Sequence, residues 1–193
     1  MLLVLVTGLP GTGKSTTADA AGRALGAPVL GHDWAMSGLR PYPEVQAALD
    51  RMGWRGHREV GWSILWALAR SQLRLGSSVV LDGVARQPQV AGTRRLATEE
   101  GTGSVVVMTR CVDADVHRSR IEGRRRGIPD WYELEWANVV RARESWQEPE
   151  GVDLVLEASD DPEHNERLLV ALLLSRGARP KEGGPEGGGE QRR

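Results

Sequence analysis

The residues best suited to chemistry stand close to the N-terminus. Gly8-Leu9-Pro10-Gly11-Thr12-Gly13-Lys14-Ser15 spells G-x-x-x-x-G-K-S between an apolar run, Leu2 to Val6, and a segment of helical spacing. A phosphate-binding loop requires that context of strand, loop and helix. The glycines let successive backbone N–H groups curl around an anion without Cβ clashes. Lys14 brings a positive charge to the β/γ-phosphates, and the hydroxyl of Ser15 can ligate Mg²⁺. A helix beginning near Lys14 adds the positive end of its dipole. Gly-rich turns between a strand and a helix also occur without a ligand, but the Lys14-Ser15 pair has no such structural reason. The pattern therefore implies that Gly8 to Thr16 cradle a nucleoside triphosphate.

Other groups can complete such a site. Asp82 ends the run Val79-Val80-Leu81 and can hold Mg²⁺ directly or through a water, as a carboxylate after a second core strand does; otherwise it serves the turn at Gly83. Asp33 follows Pro28 to Gly31, where an acceptor would approach the γ-phosphate. It can take a hydroxyl proton there, or merely cap a helix. His32 beside it reads as hydrogen-bonded structure. Arg118, Arg120, Arg124, Arg125 and Arg126 crowd one basic segment, with Arg120 and Arg124 on one helical face. They suit either a solvated face or a lid that closes on phosphates, in which Arg120 or Arg124 meets the transferring group and Arg126, next to Gly127, matters less.

These groups need elements to position them. Apolar runs at Leu2 to Val6, Ser78 to Asp82 and Ser104 to Met108 read as buried strands, Pro28 to Gly31 as a short second strand and Val152 to Leu156 as a fifth. Between them, helices are predicted over Lys14 to Leu25, Glu44 to Met52, His57 to Leu75, Pro88 to Glu100, Asp113 to Arg126 and Trp131 to Trp146. Asp161-Pro162 caps a last helix that runs to Gly177. The alternation implies a parallel sheet with helices on both faces, in which ligands bind at the carboxyl ends of the strands. The stretch after Gly177 has almost no apolar content and is expected to be disordered.

The composition sets further bounds. A chain of 193 residues can bury one good core, and a net charge of −1 makes no global case for nucleic acid. One cysteine, Cys111, cannot form an internal disulfide, which fits a reducing cytoplasm. The first apolar run stops at Gly8 and follows no basic segment, so it reads as a core strand and not a leader, and no stretch approaches the ~18–20 apolar residues of a membrane span.

GLPGTGKST, the strand-end Asp33, VVLDG and the Arg-rich segment ahead of a Trp/Tyr helix resemble the P-loop kinase-like ATPases grouped as an AAA domain. That group is similar to gluconate kinase, chloramphenicol phosphotransferase and the kinase domains of polynucleotide repair enzymes. The resemblance covers roughly residues 2–174. It implies an α/β fold, the P-loop NTPase three-layer sandwich, with a five-stranded parallel sheet, helices on both faces and an Arg-rich lid. On that pattern residues 1–176 form the kinase-like domain, 34–76 a helical acceptor-side insertion, 113–130 the lid and 177–193 the tail. It further implies ATP and Mg²⁺, the base role for Asp33, the lid role for Arg120 and Arg124, and adenine held beside Ala158 to Asp161.

Two departures narrow the reading. Polynucleotide kinases typically show D-x-x-R after the second strand, whereas here Met36 stands at the matching position and the nearest arginine is Arg40. Adenylate kinase-like loops normally continue G-K-G-T, and this one reads G-K-S-T. The expectation is a cytoplasmic monomer or homodimer that moves the γ-phosphate of Mg·ATP to a small hydroxylated acceptor. Lys14, Asp33, Arg120 and Arg124 would serve catalysis, with Ser15 and Asp82 on the metal. Arg40, Arg55, His57 and Arg58 would line the acceptor pocket. A 5′-hydroxyl nucleic-acid kinase and a regulatory ATPase without a phosphorylated product are the alternatives.

Overall fold

The computed structural model describes residues 1–178, so most of the expected tail lies outside the described residues. Five strands, β1 (Leu2–Thr7), β2 (Val29–Gly31), β3 (Val79–Asp82), β4 (Gly103–Arg110) and β5 (Leu154–Glu157), form one sheet in the order β2-β3-β1-β4-β5. Every pairing is parallel. Side chains alternate across such a sheet, and both faces are apolar because both are covered. Leu3, Leu5, Val79, Leu81 and Val106 face one layer, and Leu2, Val4, Val6, Val80, Val105 and Val107 face the other.

The first layer is built by α3 (Pro43–Arg74) and α4 (Gln87–Glu99). Trp62, Leu65, Ala69 and Leu73 of α3, spaced at one helical face, are all buried there against Val90, Leu96 and Ala97 of α4. The second layer is built by α1 (Lys14–Leu25) and α7 (Pro162–Ser175), through Ala18 and Ala21 on one helix and Leu169 and Leu173 on the other. Asp161 caps α7 as expected, its carboxylate accepting from the amides of Glu163 and His164.

This arrangement creates the crevice. The chain leaves β1 for α1 on one face and leaves β3, its neighbour, for α4 on the other, so the two loops part at the carboxyl edge. Val6, Asp82 and Gly31 stand in register across β1, β3 and β2. Register alone therefore lines up the phosphate loop, Asp82 and the His32-Asp33 pair along one edge.

Several expected elements differ. The break expected between the helices at Glu44 to Met52 and His57 to Leu75 is present within α3 but is confined to Gly53, whose φ of 66° interrupts the helical path. His32 to Ser37, not expected to be helical, form the short α2 (His32–Ser37). The basic helix expected to reach Arg126 stops early: α5 covers Ala114–Ile121, because Glu122 turns extended and Gly123 takes a φ of 76°. The next helix, expected from Trp131, begins five residues later as α6 (Trp136–Glu144). Residues 122–135 are thus a loop and not the end of one helix and the start of another. Arg126 there finds the carboxylates of Asp33 and Glu133 and the Tyr132 carbonyl off the helix axis.

Candidate active site

Backbone geometry at the phosphate loop explains its glycines. A Cβ on Gly8, at a φ of 139°, would stand 2.1 Å from the Thr109 carbonyl oxygen of β4. Gly13 starts α1 from the left-handed region, with a φ of 93°. The Thr12 hydroxyl donates to the Leu9 carbonyl at 2.7 Å and lies 2.7 Å from the Thr109 hydroxyl, tying the loop to β4. Lys14 Nζ also donates to the Leu9 carbonyl, at 2.9 Å. Burial pushes the Lys14 pKa down, and Asp82 and Asp33 oppose that while Arg124 and Arg126 add to it. Lys14 therefore sits amid both carboxylates and two of the arginines singled out above.

The Ser15 hydroxyl donates to Asp82 Oδ2 at 2.8 Å, which ties the end of β3 to the start of α1. The other Asp82 oxygen, Oδ1, is buried and accepts no hydrogen bond. Burial pushes the Asp82 pKa up despite Lys14 and Ser15. An orphaned carboxylate oxygen beside a serine hydroxyl fits a divalent cation, which takes hard oxygen ligands and keeps several waters or phosphate oxygens. Among the described residues no three His, Cys, Asp or Glu side chains converge as an all-protein metal cage. Ser15 and Asp82 are thus the groups that would hold Mg²⁺ together with a nucleotide.

Asp33 lies in the first turn of α2. The capping alternative does not hold, since Gly31 precedes α2 and no side chain caps it. Asp33 Oδ2 instead meets the Arg126 guanidinium at 2.5 Å, and His32 Nδ1 lies 3.5 Å from Oδ1. Burial works to raise the Asp33 pKa, but His32, Arg126 and Lys14 together hold it below the usual carboxylate value. Arg126 is anchored as well by Glu133 and by the Tyr132 carbonyl, and Arg40 Nε donates to the Asp130 carbonyl at 3.2 Å. Loop 122–135 is thereby fastened over Asp33.

The three arginines divide differently from the expected ranking. Arg126, expected to be the least engaged, makes the contact with Asp33. Arg120 donates to the Ala158 carbonyl at 2.5 Å, beyond β5, with its guanidinium near Gly13. Arg124 lies close enough to Lys14 to act on its charge. Helical spacing pairs Arg120 with Arg124 only if the helix continues, and it ends at Ile121.

The sequence profile of the AAA domain family matches residues 3–149, from β1 through the loop that carries Arg126 and the whole of α6. The chain belongs to the AAA domain family. An uncharacterized Mycobacterium tuberculosis protein, Rv2004c (strain ATCC 25618 / H37Rv), is 36% identical over 159 residues, 78% of this chain. The Mycobacterium bovis protein Mb2027c matches to the same extent. The chain spans 31% of the length of these curated relatives. Among solved structures, a sugar kinase from Janibacter sp. HTCC2649 is similar with a TM-score of 0.64 at 17% identity, over 92% of this chain and 96% of its own. A gluconokinase from Sinorhizobium meliloti 1021 gives 0.64 at 18%, over 90% and 91%. The Mycobacterium tuberculosis APS kinase in complex with AMPPNP and APS gives 0.62 at 22%, over 89% and 96%. These likenesses show that this AAA domain has the P-loop kinase fold expected from its sequence.

The acceptor-side arginines and histidine scatter on this AAA domain. Arg55 is exposed and paired with Glu59 one turn along α3, and His57 faces Asp50 across the break at Gly53. Arg58 has a buried Nε without a hydrogen-bond partner. Arg40 is spent on holding loop 122–135. Met36 is buried at 1% exposure, so the position matching the arginine of D-x-x-R faces the core.

Proposed function

We propose that this AAA domain is an ATP-dependent phosphotransferase that moves a γ-phosphate to a hydroxyl of a small-molecule acceptor. The observation that carries this reading is Asp33: a carboxylate kept ionised, at the same sheet edge as Lys14 and Asp82, under a loop that reaches over it. The fold shared with a sugar kinase, a gluconokinase and an APS kinase supports a small acceptor. Buried Met36 supports it against a nucleic-acid end, since no cation stands there to grip a phosphate of the acceptor strand.

In this reading the backbone N–H groups of the phosphate loop, Pro10 excepted, and the Lys14 ammonium hold the β/γ-phosphates, and Ser15 and Asp82 hold Mg²⁺. Bound Mg²⁺ would supply charge neutralisation on the phosphate oxygens. The acceptor oxygen forms a bond to the γ-phosphorus as the bond to the β,γ-bridging oxygen breaks, ADP departs, and Asp33 takes the hydroxyl proton. Phosphoryl transition states are loose, so a carboxylate of low pKa serves well: orientation matters early and the proton leaves late. Arg126 steadies Asp33 and the loop above it, while Arg120 and Arg124 line the nucleotide side.

A transfer screen with γ-labelled ATP against pooled sugars, antibiotics, nucleosides and 5′-hydroxyl oligonucleotides tests the reading. Label on a small hydroxylated compound is the expected result. Label only on oligonucleotides would move the assignment to a nucleic-acid kinase, and hydrolysis to phosphate whatever is added would move it to a regulatory ATPase.

With the acceptor in hand, Arg126→Ala is expected to lower kcat/KM for that acceptor by roughly tenfold or more, since a charge-assisted hydrogen bond is worth about 1.5–3 kcal/mol. The affinity for ATP should stay within about twofold of wild type, because Arg126 bonds Asp33 and its own loop. Arg118→Ala, which removes only an exposed pair with Glu122, serves as the control and should change neither. Equal effects of the two substitutions would return Arg126 to a surface role.

A further inference from the structure

His117 of α5 has no part in the roles described so far, yet it is wholly buried at 0% exposure. Its Nε2 lies 2.6 Å from the Pro10 carbonyl oxygen, in the middle of the phosphate loop. Its Nδ1 lies 3.0 Å from the Arg143 guanidinium of α6, and Trp136 of α6 stands edge-on at 5.3 Å. A guanidinium can only donate, so Nδ1 must accept, and the ring proton must sit on Nε2, where it donates to Pro10. The two contacts together demand one tautomer of the neutral ring.

The neighbouring loop residues add to this contact. A Cβ on Gly11 would stand 3.2 Å from the His117 ring and 2.6 Å from Ile121, so α5 lies directly against the loop. Leu9, just before Pro10, offers the carbonyl that receives both Lys14 and Thr12. The loop is therefore held on two sides, by Thr109 through Thr12 and by His117 through Pro10. We propose that His117, oriented by Arg143, is a positioning residue that fixes the phosphate loop in its nucleotide-binding shape and couples it to α5 and α6. The proposal rests on the reading of Gly8 to Thr16 as an ATP site.

A neutral ring makes the coupling sensitive to acid. Burial pushes the His117 pKa down, the Pro10 carbonyl pulls it back up, and Arg143, Lys14 and Arg120 lower it further. These three cations face it from α6, α1 and α5. The sign follows from linkage: the released ring binds a proton at the ordinary value near 6.5, and the latched ring binds one only at lower pH. The latch is complete above about pH 6.5 and is lost as pH falls through the depressed value. A protonated ring would present a donor to the Arg143 guanidinium, which already donates.

The test measures Mg·ATP affinity by calorimetry on the full chain from pH 7.5 down to 5.5, with a thermal melt at each pH. His117→Gln keeps an amide donor for Pro10 but cannot titrate, and His117→Phe keeps a ring against Trp136 but makes neither hydrogen bond. At pH 7.5, His117→Phe should bind about tenfold more weakly, the loss expected when a buried hydrogen bond is removed. His117→Gln should stay within about threefold there. As the pH falls, the advantage of wild type over His117→Gln should shrink or reverse, because only the wild-type ring takes up a proton while protonation of ATP affects both proteins alike. An unchanged ratio between those two proteins across the range, or a His117→Phe affinity equal to wild type, would overturn the proposal. If His117→Phe does not fold, the pH comparison with His117→Gln decides alone. A wild-type chain that takes no ATP at pH 7.5 would overturn the nucleotide reading itself, which the variants do not test.

Discussion

Lys14→Ala is expected to leave a folded protein that turns over ATP at least 10²–10³-fold more slowly, the loss typical of one preorganised donor to developing charge. The loop should keep its shape. The Leu9 carbonyl that accepts from Lys14 also accepts from Thr12 at 2.7 Å, and Thr12 stays tied to Thr109. What disappears is charge. Asp82 and Asp33 both act on Lys14 electrostatically, so its removal leaves two carboxylates facing an incoming triphosphate with one cation fewer. Both carboxyl pKa values should rise in the variant, since an opposite charge nearby favours the ionised form. Binding should weaken by the worth of a charge-assisted contact, about 1.5–3 kcal/mol, and turnover by more, because charge builds on the phosphate oxygens in the transition state. Calorimetry, a melt and a turnover assay on one preparation separate these effects. Near-normal turnover would remove the phosphate loop from the proposed site.

The parts of this site that could be read from the sequence are those fixed by local rules. The phosphate loop obeys a spacing rule, and Asp82 ends an apolar run that a parallel sheet buries on both faces, while Asp33 follows the half-buried edge strand β2 in the first turn of α2. The α1 boundaries, Lys14 and Leu25, were legible because Gly13 and Gly26 both take left-handed backbone at its ends. The arginines were not legible in the same way. Arg120 and Arg124 pair on a helical wheel, but Glu122 and Gly123 leave the helix, and Arg126 is then carried to Asp33, 93 residues away. No local pattern encodes a contact across that separation. A single glycine within a basic run was the available signal, and it pointed to a helix end. His117 was equally hidden, since one histidine in a basic segment gives no sign of whether its ring is buried or exposed. Its role emerges only when α5 is laid against Pro10 and Gly11.

Asp33→Asn should reduce phosphoryl transfer to the acceptor by about 10²–10⁴-fold, the range a positioned general base contributes. Asparagine is nearly isosteric and its carbonyl oxygen can still accept from Arg126, so the loop over the site should remain closed. Gly31, not Asp33, precedes α2, so no cap is lost and any fall in melting temperature should come only from the missing charge opposite Arg126. ATP affinity should hold or rise slightly, because one negative charge near Lys14 is gone. The substitution removes the ability to take a proton from the acceptor hydroxyl while leaving geometry in place. The wild-type carboxylate is held below its usual pKa by His32, Arg126 and Lys14 against the opposing effect of burial. It therefore stays ionised down to acid pH: the buried Asp82, whose pKa lies above the usual value, should set the first acid limb of the wild-type rate profile, and the Asp33 limb should lie below the ordinary carboxylate value of about 3.9 wherever the fold survives. Arg126→Ala should move that limb to higher pH, since it removes one of the charges that favour ionisation. A regulatory ATPase with water as its acceptor would instead keep its nucleotide response in Asp33→Asn. The measurement is turnover with the identified acceptor beside an ATP titration and a melt. Turnover surviving within a few-fold would mean that Asp33 does not take the proton, and the proposed acceptor chemistry would be wrong at its centre.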